Sequence, residues 1–237
     1  MTRLNVVCLG LLSLASLLTT SARADIVLES YEFNGQAGSE TSLSPATVAT
    51  GLTGVNFTES SVLTPSTGAN SINASGWQNA GAYYALGFNV SAGYTATVDQ
   101  IVLADRSSNT GPGTINILAS ADGGAFVVVG STTQTGTTYN DLQLSITAVT
   151  ASKSLVFEFV AANQASAGGG GGTIGSSGTF RVGDYAPTGG TAAPFSLNGT
   201  VTAVTAVPEP SSLALGLIAL AALAPLARRR ALRGSRD

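Results

Sequence analysis

Eleven carboxylates are scattered between Asp25 and Asp184, against three basic residues, Arg106, Lys153 and Arg181, which gives residues 25–207 a net charge of −8. Two carboxylates facing one sugar bond could hydrolyse it, whether close together or about 6.5–9.5 Å apart. No spacing in the sequence marks such a pair. Glu158, set between Phe157 and Phe159, is expected to point away from the core as an exposed strand residue. The chain contains no histidine, which removes the commonest general base, the serine triad and the usual zinc sites. Asp122 and Asn140-Asp141 could supply oxygen ligands to calcium, but neither stretch has a calcium-loop spacing, and both suit turns better. No metal, cofactor or enzymatic activity is expected. Nucleic acid is excluded as a partner because three basic residues cannot neutralise a run of phosphates. Recognition by stacking and hydrogen bonding remains. Trp77, Tyr83 and Tyr139 could stack on sugar rings, and Arg106 could orient a carboxylate or hydroxyl. The plainer alternative is that these rings cover sandwich edges and that Arg106 caps its own loop.

The elements that would position these residues read as strands. Charges are sparse, Gly, Ser, Thr, Ala, Asn and Val dominate, and no long segment has helical periodicity. Tyr31-Glu32-Phe33 is expected to be a first edge strand. From Gly35 to Asn73 the pattern is weak, with short candidates at Val48 and Val55-Asn56-Phe57. Tyr84, Leu86, Phe88 and Val90 share a face by period two, with Tyr83 on the opposite phase. The phase of the next strand, Tyr94 to Leu103, slips near Asp99-Gln100, which predicts a bulge. Arg106 to Gly113 reads as a polar loop. Ile115, Ile117 and Ala119 then alternate into Asp122-Gly123-Gly124, a hairpin turn suited to positive φ. Leu142, Leu144, Ile146 and Ala148 line another face, and Leu155, Phe157 and Phe159 should form a central strand. Five consecutive glycines at 168–172 predict a flexible loop. Thr179 to Val182 and Phe195 to Val201 supply the last of about eight to ten strands. The fold class expected is all-β, an antiparallel β-sandwich, jelly-roll-like, in one domain at residues 25–205.

Both ends carry topogenic patterns. Residues 1–24 read as a signal peptide: Arg3, an apolar run from Leu4 to Leu18, and a small-x-small site at Ala22-Arg23-Ala24, so that cleavage leaves Asp25 first. Cys8, the only cysteine, lies inside it, so the exported part can hold no disulfide and depends on core burial. Residues 206–237 run from Pro208-Glu209-Pro210, through an uncharged stretch from Ser211 to Ala227, to Arg228, Arg229 and Arg230. As a single transmembrane helix that stretch spans roughly 25 Å against roughly 30 Å of hydrocarbon. The arginines place its far end in the cytoplasm.

This tail resembles the PEP-CTERM sorting signal. The resemblance implies export with the help of signal peptidase, transient anchoring in the inner membrane through the C-terminal helix, and processing near Pro208-Glu209-Pro210 by an exosortase. The final location is then the cell surface or the extracellular matrix, with a non-catalytic structural or adhesive role. The Asp122 hairpin and the strand from Leu155 to Val160 also resemble discoidin-like and carbohydrate-binding jelly rolls. That implies an exopolysaccharide as a second kind of partner. A glycan-active hydrolase is the third reading.

Overall fold

The computed structural model describes residues 25–204. The signal-peptide residues, Ala22 and Ala24 among them, lie outside the described residues. So do the sorting motif, the apolar run and Arg228 to Arg230. Among the described residues no helix is long and apolar enough to cross a membrane.

Fourteen strands are described: β1 Ile26–Tyr31, β2 Ser42–Leu43, β3 Thr47–Val48, β4 Leu52–Glu59, β5 Thr64–Pro65, β6 Ser71–Ser75, β7 Tyr83–Val90, β8 Tyr94–Ser107, β9 Thr114–Ala121, β10 Val127–Thr133, β11 Asn140–Ala151, β12 Ser154–Ala161, β13 Thr179–Gly183 and β14 Phe195–Ala203. They form two antiparallel sheets. The larger has the order β3-β1-β14-β8-β13-β6-β5, with β11 also paired to β8. The smaller has the order β10-β9-β12-β7-β4-β2. The architecture is a β-sandwich, as its alternating strands predict.

β8 organises the larger sheet. One edge pairs with β11. The other edge pairs with β14 over residues 94–102 and with β13 over residues 104–107. The segment 184–194, which joins β13 to β14, therefore leaves and re-enters the sheet where those two strands meet. The phase slip expected near Asp99 is present: Asp99 has no register partner on β11 or β14, while Val98 and Gln100 on either side of it do.

The core follows the period-two faces. Tyr84, Leu86, Phe88, Leu155, Phe157 and Phe159 are buried, and β12 lies between β9 and β7 in its sheet. Tyr31, Phe33, Phe57 and Phe195 meet edge to face, with centroids 5.6–6.2 Å apart. Such pairs add to the simple burial of ring area. The Asp122 hairpin forms as expected, with Asp122 at φ 54° and Gly123 at φ 78°. Gly123 carries that conformation without a Cβ penalty.

Four expectations change. Tyr31-Glu32-Phe33 is not an edge strand: β1 ends at Tyr31 and has β3 on one side and β14 on the other. The polar loop begins at Ser108, because β8 continues through Arg106 to Ser107 on its pairing with β13. Glu158 is half-buried on its outward face, so burial raises its carboxyl pKa. The weak stretch holds β6, whose Ser71, Asn73 and Ala74 are buried although none is a bulky hydrophobe.

Candidate functional site

Strand alternation and register place a compact set of side chains on the outer face of the larger sheet. Leu103 and Asp105 of β8 and Phe180 and Val182 of β13 point inward and are buried. Ala104, Arg106, Arg181 and Gly183 therefore point outward. The register builds two neighbouring rungs. In one, Asp141 of β11 faces Ala104, Ala104 faces Gly183, and Gly183 faces Ser71 of β6. In the next, Arg106 faces Arg181, and Arg181 faces Asn73. Tyr139, just before β11, closes this second rung: the Arg106 guanidinium carbon lies 4.8 Å from its ring centroid. Arg106 Nη1 also donates to the Thr137 carbonyl at 3.2 Å.

Over the first rung lies a recess of ≈ 240 Å³, lined by Ala69, Asn70, Ala104, Tyr139, Asp141, Gly183 and Asp184, among others, with Arg106 and Arg181 beside it rather than in its lining. Ala104 and Gly183 give it a floor with almost no side chain. A neighbouring recess of ≈ 440 Å³ shares Asn70, Asp184 and Ala186 and adds Glu32, Asn34 and Pro194. Together they form one open groove at the junction of β13 and β14.

The acids of this groove are engaged with the backbone. Asp184 Oδ1 accepts from the Phe33 and Phe195 amides, and Oδ2 from the Phe33 and Asn34 amides, at 3.0–3.2 Å. One carboxylate thereby ties the end of β1 to the start of β14, across the gap where segment 184–194 leaves. Burial raises its pKa to about 6, helped by the hydrogen bond and the charge of nearby Glu32, while the amides oppose the rise. Glu32 Oε1 accepts from the Asn34 amide, and Asp141 Oδ1 from the Ala186 amide. Glu32 and Asp184 both line the larger recess.

The four candidate ligand contacts do not share a face. Arg106 and Tyr139 come together, and of the two Tyr139 lines the groove. Tyr83 is half-buried on the outer face of the smaller sheet, beside Glu158 and Gln164 in a separate recess of ≈ 290 Å³. Trp77 is excluded as a stacking platform because it is 1% exposed. Its ring meets Tyr84 and Phe180 edge-on at 4.9 and 5.3 Å, and its Nε1 donates to the Ala74 carbonyl at 2.9 Å. A solitary tryptophan among polar residues offered no periodicity from which to read this burial. Sequence reasoning missed Arg181, Asp184 and Asn70. The available signal was that Arg181 lies between two inward residues, Phe180 and Val182, in a domain with only three basic groups.

Asp122 is a turn residue with an added role. Its carboxylate accepts from the amides of Ser152, Lys153 and Ser154 and from the Ser152 hydroxyl, at 2.7–3.2 Å. Those bonds hold its pKa down at about 2 and tie the β9–β10 turn to the β11–β12 turn. Among the described residues no group of three or more His, Cys, Asp or Glu is placed to hold a metal ion.

Comparison with known proteins finds one family model. Residues 206–231 match the PEP-CTERM protein-sorting motif. No curated protein matches the chain. Among solved structures, a mutant of CBM29-2, a family 29 carbohydrate-binding module, aligns at 10% identity and a TM-score of 0.31, over 75% of this chain and 92% of that one. A likeness at that level says nothing of what this chain binds.

Proposed function

We propose that the chain is an exported, non-catalytic surface or matrix protein, delivered through the PEP-CTERM motif at residues 206–231. In this reading residues 1–24 are removed by signal peptidase, 25–205 form the exported domain, and 206–237 form the sorting tail. The carrying observation is the position of the motif: β14, the last described strand, ends at Ala203, and the matched segment begins three residues later. Pro208 and Pro210 cannot join a membrane helix as ordinary residues, which leaves that segment at the outer interface within reach of an exosortase. Moving each arginine to the bilayer centre would cost roughly 2.5–3.5 kcal/mol, which holds the other end inside. A non-catalytic role is supported by the engagement of Asp184 and Glu32 with backbone amides. Deleting 206–237 should divert the protein from the envelope. Intact mass of the envelope form should lack Arg228 to Asp237. An unchanged location, or a retained C-terminus in a host with an active exosortase, would refute the sorting reading.

A second reading is favoured by one observation: Tyr139 is 37% exposed and lines the outer-face groove with Asn70 and Asp141. The domain then acts as a carbohydrate-binding module for exopolysaccharide, with Tyr139 and Arg106 as contacts. Trp77 no longer belongs to that set. Retained binding to a glycan array by Tyr139→Ala would remove this reading.

A further inference from the structure

Resting on the glycan reading of the groove, we propose that the Arg106–Arg181 rung is a carboxylate subsite, and that the groove takes a glycan carrying hexuronic acid.

The exported segment has three basic residues and eleven acids. Two of those three bases lie directly opposite each other, on the same outward face of adjacent strands. Like charges at opposed positions, with Cβ atoms roughly 4.5–5.5 Å apart, repel. An anion between them turns that repulsion into attraction. The acids lining the groove are occupied with other donors: Asp184 holds three amides and Asp141 holds the Ala186 amide.

The arginines are held in place and keep donors free for a ligand. A guanidinium has five N–H donors in a planar fork that matches a carboxylate bidentately. Arg106 uses one toward Thr137 and rests against Tyr139. Arg181 Nε is buried without a protein partner, so it is the terminal nitrogens of this guanidinium that are left to reach a ligand. Its guanidinium packs on the backbone at Gly68, where an added Cβ would come within 2.9 Å of Cζ. Gly68 is thus the residue that lets the arginine lie flat there.

The adjoining rung supplies room for the ring that bears the carboxylate. Ala104 projects only a methyl group, Gly183 has the Asn70 carbonyl over it, and two residues further along the same strands stand Arg106 and Arg181. Positions two apart on a strand are separated by roughly 7 Å. A pyranose over Ala104, between Tyr139 and Asn70, would direct an attached carboxylate toward the two forks. A neutral sugar would leave the arginines facing each other without an anion. Repulsion from distant acids is screened beyond roughly 8 Å at physiological salt, and the two guanidiniums have to outweigh the Asp141 and Asp184 carboxylates that line the recess.

The test is calorimetric titration of the exported protein with an oligogalacturonate, with its carboxyl-reduced counterpart and with a sulfated neutral glycan. The oligogalacturonate should bind about tenfold or more tightly than the reduced sugar, as expected for hydrogen bonds to a charged group. Arg181→Gln should abolish that preference. Arg106→Lys keeps the charge but loses the fork, and should abolish most of it. Thermal melts confirm folding, and Arg106→Lys decides the matter if Arg181→Gln does not fold. Equal binding of the uronate and its reduced form, lost in Tyr139→Ala, would overturn the carboxylate subsite and leave the glycan reading intact. A preference that survives both arginine variants would overturn the assignment to this rung. Tighter binding of the sulfated glycan would overturn the match to carboxylate. No binding of any glycan would remove both readings.

Discussion

Phe180 and Arg181 are neighbours in β13 and sit in unlike surroundings. Phe180 closes an aromatic plug with Trp77 and Tyr84, and its carbonyl accepts from the buried Tyr84 hydroxyl at 2.7 Å. Arg181 stands on the other side of the same sheet, opposite Arg106, at the margin of an open groove. The inner face is close-packed and has few ways to accommodate change. The outer face is polar, and its acids are spent on pinning loops rather than on filling space. One five-residue strand thus joins the stability of the domain to its recognition surface. The comparison predicts that substitutions on the two faces separate folding from binding.

The largest effect is expected at the plug. Trp77→Ala removes a fully buried ring with two edge-on partners and the hydrogen bond to the Ala74 carbonyl. A loss on the order of 3–5 kcal/mol is expected from such a truncation, out of a typical domain total of roughly 5–15 kcal/mol. Phe157→Ala, in the middle of β12, should fall in the same range. Chemical denaturation measures both. Parent-like stability in Trp77→Ala would mean that the plug does not close the core.

This contrast also sorts what was legible in the sequence. Leu155, Phe157 and Phe159 announce β12 because large apolar groups recur at period two around a single acid. The bulge at Asp99 was visible as a slip in the same periodicity. Trp77 was not legible as core, since no neighbour shares its phase and its cover comes from Tyr84 and Phe180 on other strands. β6 was hidden for a similar reason: its outward Asn73 is buried, donating to the carbonyls of Ser66 and Thr67 in a loop the sequence does not announce. The groove was half legible. Composition drew attention to Arg106 and Tyr139, but the meeting of Arg106 with Arg181 is a long-range register, which no local pattern encodes.

A middle effect is expected from an acid enclosed between the sheets. Glu29 is fully buried, and its Oε1 accepts from the Val55 amide of the opposite sheet, while Oε2 has no partner. Burial pushes its pKa up to about 8, against the opposing hydrogen bond from the Val55 amide. The folded state therefore keeps a proton that the unfolded chain releases near 4.5. Stability tied to this group is complete below about 4.5, declines as pH rises, and is lost by about 8. The slope is at most about 1.4 kcal/mol per pH unit. Glu59, raised to about 8 by burial and by the charge of Glu40, acts in the same direction. Melting temperatures measured across that window should fall with pH, and Glu29→Gln should flatten the decline. A parent domain that gains stability toward pH 8 would contradict the enclosure of Glu29.

The smallest effect on folding is expected at the groove, and it tests the contrast most directly. Tyr139 lies outside any strand, is 37% exposed, and has Arg106 as its ring contact. Its removal opens no cavity in the core and leaves no buried polar group without a partner. An exposed cation–π contact is worth about 0.5–1 kcal/mol, which bounds the loss of stability in Tyr139→Ala. The same substitution takes away the one aromatic wall of the recess that holds Ala104 and Gly183. Binding of a glycan should fall sharply while the melting curve moves little, the reverse of Trp77→Ala, where folding fails first. Were Tyr139→Ala to destabilise as much as Trp77→Ala, the outer face would be part of the core, and the division of β13 into a structural side and a recognition side would not hold.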